Sequence, residues 1–105
     1  MTRTAFTMQL IKGFEAEYKR RHDEIWPELS LLLGEDGVKE YYIYLDAASG
    51  TLFAFMKKEK SNLAAPLRQH PVMRRWWDYM KDIMKTNDDG SPVTTPLVEV
   101  FDLHG

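Results

Sequence analysis

The sequence predicts an α+β domain in which a four-stranded antiparallel sheet carries helices on one face. Three observations lead there. The hydrophobic period switches from 2 to about 3.6 after Gly13. Two segments rich in aromatic and β-branched residues flank a four-residue turn. Alternating and helical segments follow one another as β-α-β-β-α-β, the order of the ferredoxin-like fold.

Residues 3–11, RTAFTMQLI, alternate, with Phe6, Met8 and Leu10 on one face and Thr7 and Gln9 on the other, the period of a half-buried strand. From Phe14 the period changes. Phe14, Tyr18, His22, Ile25, Leu29 and Leu32 are spaced by 4, 4, 3, 4 and 3, one face of a helix. Pro27 interrupts it, because proline lacks a backbone donor and disfavours helical geometry at Trp26. Two outcomes remain open: a kinked helix, or two helices with proline in the first turn of the second. VKEYYIYLD, 38–46, and TLFAFMKKE, 51–59, read as an antiparallel hairpin closed by AASG, in which Gly50 is free to take positive φ. Residues 62–69 are weakly helical and broken by Pro66. PVMRRWWDYMKDIMK, 71–85, begins with proline and sets Val72, Trp76, Tyr79, Met80 and Ile83 on a second helical face. KTNDDGSPVTTP, 85–96, is a long loop, and LVEVFDL, 97–103, a last alternating strand. Both faces of the hairpin are bulky, so the sheet face that no helix covers predicts self-association.

The length of 105 residues makes residues 1–105 a single domain. Fourteen basic against sixteen acidic residues leave a net charge of −2, which gives no global basic field for nucleic acid. There is no cysteine, so disulfides, thiolate nucleophiles and cysteine metal sites are excluded, and a reducing cytoplasm fits. The N-terminal residues MTRTAFTMQLIKG lack the apolar core of a signal peptide, and no apolar run approaches the ~20 residues of a membrane span, so no membrane partner is expected.

The segment EYKRRHDEIWPEL, 17–29, places His22 where a charged stripe meets an apolar one. One reading is a histidine packed beside Tyr18 and Ile25. The other is proton transfer, since the imidazole's unperturbed pKa of about 6.5 suits exchange near neutrality and Tyr18 lies one helical turn away. His70, before Pro71, reads as a turn residue, and His104 as terminal. Trp76 and Trp77 are adjacent and point about 100° apart on a helix, so both cannot be central core residues. One reading puts one of them in the core and the other at an interface or rim; the other makes the pair a wall of a pocket, where an aromatic face suits the polarised C–H groups of a sugar. No glycine-rich phosphate loop, paired metal-ligand histidines or G-x-S-x-G serine is present. An enzyme built on this chain would work by general acid–base chemistry, with no cofactor and no metal. Asp88-Asp89 reads as turn chemistry.

The blocks EYKRRHDEIWPEL, YYIYLD, LFAFM, RRWWDYMKDIM and NDDGSPVTTPLVEVFDL resemble, in order and spacing, the L-rhamnose mutarotase family. The resemblance implies an isomerase that interconverts the α and β anomers of the monosaccharide L-rhamnose. It also implies a dimeric α/β barrel: a homodimer of ferredoxin-like protomers packed through their sheets. It gives His22 the role of proton donor, and Tyr18, Tyr41, Trp76 and Trp77 the binding of the sugar. Two rival readings stand beside it: a non-catalytic dimeric binding module, and a small ferredoxin-like monooxygenase whose tryptophans face an apolar ligand. A sugar site needs several polar groups converging beside the aromatics, and an apolar site does not.

Overall fold

The computed structural model describes all residues, 1–105. Its elements run β1 (Thr2–Gln9), α1 (Glu15–Asp23), α2 (Pro27–Glu35), β2 (Val38–Asp46), β3 (Thr51–Lys58), a 3-10 turn (Leu67–Gln69), α3 (Pro71–Met80) and β4 (Thr95–Leu97). The strands form one antiparallel sheet in the order β2-β3-β1-β4. Of the two outcomes allowed at Pro27, the chain takes the second. Trp26 is extended at φ −61° and ψ 132°, and Pro27 opens a separate helix at a position where its missing donor costs nothing.

Register decides which side chains meet the helices. Phe6, Ala54 and Ile43 align across β1, β3 and β2, as do Met8, Leu52 and Leu45, and Tyr41 lies opposite Met56. Met8, Leu52 and Ala54 are buried in this face beneath Leu29 and Leu32 of α2 and Met73, Trp76 and Met80 of α3. Alternation sends Tyr42, Tyr44, Phe53 and Phe55 to the opposite face, and Tyr42, Tyr44 and Phe55 are exposed there. Gly50 closes the hairpin at φ 74°, so near the end of β1 that a β-carbon would lie 3.0 Å from the Leu10 carbonyl oxygen and 2.8 Å from the Gln9 side-chain Nε2.

Two boundaries depart from the sequence reading. The last helix ends at Met80 rather than Lys85, and the fully buried Ile83 follows it in a turn. The last strand covers Thr95–Leu97 instead of 97–103. It pairs with Thr7, Phe6 and Ala5, after which the chain leaves the sheet edge. Val98 and Val100 are 84% and 93% exposed, so the alternating pattern of this segment is not satisfied within one chain. No helix is long and apolar enough to cross a membrane.

Candidate active site

Helix α1 is an unusual carrier for chemistry. Of its nine residues only Tyr18 and Arg21 are buried. Acidic Glu15 and Glu17 begin it and Arg20, Arg21 and His22 end it, an order that complements the helix dipole. Tyr18 and His22, one turn apart, stack at 4.2 Å between ring centroids and 28° between planes. His22 then meets Trp76 of α3 edge-on at 5.5 Å. The His22 Nδ1 lies 3.0 Å from the Tyr18 carbonyl oxygen. A carbonyl only accepts, so Nδ1 carries the proton and Nε2 presents a lone pair.

Tyr41 enters from β2. It faces the helices and meets the Phe6 ring edge-on at 6.5 Å, whereas its neighbour Tyr42 faces away and donates to Glu40 at 2.9 Å. Burial lowers the His22 pKa below its usual 6.5, a shift that the Tyr18 carbonyl and Asp23 partly oppose. Burial also pushes the Tyr41 phenol up to about 12. It raises Tyr18 as well, with the nearby Tyr41 phenol adding to the rise. Near neutral pH the site therefore holds a neutral imidazole and two protonated phenols. No enclosed side-chain nitrogen or oxygen lacks a hydrogen-bond partner. The Tyr18 and Tyr41 hydroxyls and His22 Nε2 bond to no group of the chain, so none of the three is wholly sealed from solvent.

Trp76 is 6% exposed and belongs to the core cluster, while Trp77 is half-buried against its edge. The 100° divergence of adjacent helical residues separates them in this way. His22, Tyr18 and Trp76 are thus in direct contact, Tyr41 joins them from the sheet, and Trp77 forms no ring pair with the other four. Sequence reasoning missed the second half of the aromatic group. Trp26 meets Trp76 edge-on at 5.1 Å and stacks on Tyr79 at 5.6 Å. The available signal was the Trp76–Tyr79 spacing of three, which placed Tyr79 on the helical face but not as a shelf for Trp26. The other histidines are accounted for. His70 caps α3 by accepting from the Val72 amide at 3.2 Å, and His104 is exposed near the C-terminus. Asp89 serves a turn, accepting from the Ser91 amide at 2.9 Å.

A cavity of about 490 Å³ lies on the sheet face opposite the helices, among Ala5, Tyr42, Phe55, Leu97, Val98 and Phe101. It contains no histidine, and its charged groups, Arg3, Glu40, Lys57 and Glu99, lie within it as two acids and two bases.

A family model for L-rhamnose mutarotase matches residues 3–103. An L-rhamnose mutarotase of Flavobacterium johnsoniae is 52% identical over 101 residues, covering 96% of this chain and 94% of that one. One from Brucella anthropi is 54% identical over 99 residues, covering 94% and 93%. The crystal structure of an L-rhamnose mutarotase from Formosa agariphila superposes with a TM-score of 0.92 at 47% identity, covering 98% of this chain and 99% of that one.

Proposed function

Because the chain belongs to the L-rhamnose mutarotase family, we propose that it interconverts the α and β anomers of L-rhamnopyranose, with His22 moving the protons. The observation that carries this reading is the orientation of His22. Its Nδ1 is tied to the Tyr18 carbonyl, which leaves Nε2 unbonded on a ring stacked on Tyr18 and set against the edge of Trp76. In the resting state Nε2 is a base. It takes the proton of the anomeric hydroxyl, and the resulting oxyanion collapses to the aldehyde as the bond between C1 and the ring oxygen breaks. The ring oxygen leaves as an alkoxide and takes the proton back from the imidazolium. Rotation about C1–C2 exposes the other carbonyl face, and the same steps in reverse close the ring. Both oxygens are bonded to C1, so one nitrogen placed between them reaches each.

Tyr18 and Tyr41 stay protonated and donate hydrogen bonds to sugar oxygens. Their raised pKa values keep them donors throughout the neutral range. Trp76 and Trp77 take the apolar C–H side of the ring. The unbonded phenols and imidazole nitrogen favour a sugar over an apolar ligand. In this reading the protein is a homodimer closed through the outer sheet face, with Tyr44 and Phe55 at its centre, and the cysteine-free composition suits the cytoplasm. Saturation-transfer NMR on L-rhamnose is the test. Exchange between the two anomeric proton signals should rise in proportion to enzyme concentration, and an unchanged rate would remove the assignment.

A further inference from the structure

We propose that Arg21 is a positioning residue for this reaction: it clamps the helix that carries His22 onto the helix that carries Trp76. The proposal rests on the assignment of His22 as the proton-transfer group. Its starting point is a shortage. Helices are usually held by an apolar stripe, yet α1 buries only Tyr18 and Arg21. The Arg21 side chain is 9% exposed, an uncommon place for arginine unless every donor is matched.

Each of the three guanidinium nitrogens is hydrogen-bonded. Nε donates to Glu17 of the same helix at 2.6 Å. One terminal nitrogen donates to the Tyr79 backbone carbonyl at 2.7 Å and to Asp82 at 2.8 Å, and the other reaches the second Asp82 oxygen at 3.2 Å. The guanidinium also lies over the Tyr79 ring, 4.4 Å from its centroid. The Tyr79 carbonyl is one of the orphan acceptors that every helix leaves at its C-terminal end. Arg21 satisfies it from another helix, so the contact fixes direction as well as distance. Behind the clamp, Tyr79 stacks on Trp26 and meets Trp76 at 5.7 Å. Trp76 is the ring that His22 touches, so both the wall and the histidine are referred to one guanidinium.

Lysine cannot replace this grip, because a single ammonium does not span a carboxylate and a carbonyl in a plane. Proton transfer depends on geometry at the ångström scale, and a 1 Å misplacement can cost ~10²-fold in rate.

The test is Arg21→Lys, with Asp82→Asn as the milder variant that leaves the arginine in place. Each is measured for kcat and KM by anomer exchange and for the His22 ring pKa by NMR titration. Arg21→Lys should lower kcat roughly 10–100-fold, with KM changed less than about threefold. The His22 pKa should rise toward 6.5 as α1 lifts and the ring regains water. The groups facing the ring are Tyr18 and Asp23 from its own helix and the uncharged Trp76 from α3, with the Tyr41 phenol beyond Tyr18. None of these changes charge in either variant. Asp82→Asn should move both quantities in the same direction and less far. A wild-type kcat and His22 pKa in folded Arg21→Lys would overturn the proposal. So would a fall in activity that merely follows the unfolded fraction with the pKa unmoved. The ring pKa is read without substrate, so a protein that fails to exchange rhamnose anomers still reports whether Arg21 sets the histidine's surroundings.

Discussion

At the scale of single residues, the sign of the pH dependence follows from His22. Its folded pKa lies below 6.5 because burial penalises the imidazolium. If the neutral ring is the base, kcat/KM should be flat above about pH 6.5 and fall with unit slope below the lowered pKa. The phenols, with Tyr41 at about 12, add no basic limb in the accessible range. Replacing His22 by alanine should cut exchange by at least ~10²-fold while circular dichroism and the mass in solution stay those of wild type. The same shift acts on stability. The unfolded chain binds the His22 proton more readily than the folded one, so stability conferred by neutral His22 is complete above the unfolded value and is lost as pH falls from about 6.5 through the folded pKa. Thermal melts at pH 7.5 and 5.5 should therefore converge in His22→Gln by an amount that only this residue explains.

At the scale of elements, a glycine within α2 and one just beyond its end make opposite forecasts. Gly37 follows the C-cap of α2 at φ 92° and donates to the Gly34 carbonyl at 3.0 Å, a left-handed helix stop. A β-carbon there would sit 2.3 Å from the Glu59 carbonyl oxygen, which is backbone and cannot swing aside. Gly37→Ala should cost at least about 2 kcal/mol, the left-handed penalty plus the clash, and lower the melting temperature by roughly 8–16 °C. Gly34 is inside the same helix with open space around it. Gly34→Ala should stabilise by about 0.5–1 kcal/mol. Melting temperatures of the two variants moving the same way would contradict this account of the α2–β2 turn. Nearby, Lys58 of β3 pairs with the buried Asp36 at 2.9 Å and ties the same turn to the sheet.

For the molecule as a whole, the unresolved demand is apolar surface. Tyr44 and Phe55 meet edge-on at 6.0 Å on a face without a helix, and Val98, Val100, Phe101 and Leu103 are each at least 74% exposed. Contiguous exposure of this kind marks an interface. Light scattering at micromolar concentration should return about twice the chain mass of 12.3 kDa. Tyr44→Glu should shift the population to monomer with its secondary structure intact, since the residue touches no helix. A wild-type monomer would end the dimer proposal.

The sequence by itself determined the periods, and the periods carried most of the architecture. Alternation in residues 3–11, the hairpin around Gly50 and the helical stripes around Pro27 and Pro71 are local properties, set by backbone geometry and by which side chains shun water. His22 was legible for the same reason, as a titratable ring on a stripe with Tyr18. The ends of the last two elements were not legible, because the pattern of residues 97–103 is that of a strand whether or not a partner lies beside it. Only the tertiary structure decided that Tyr41 rather than Tyr42 faces the helices, since adjacent strand residues differ by which face the register buries. It alone brought Arg21 to Tyr79 and Asp82 across about sixty residues of chain, a contact with no periodicity to betray it. In the sequence Arg21 is one charge in a charged run; what makes it a clamp is the helix end that folding places in front of it.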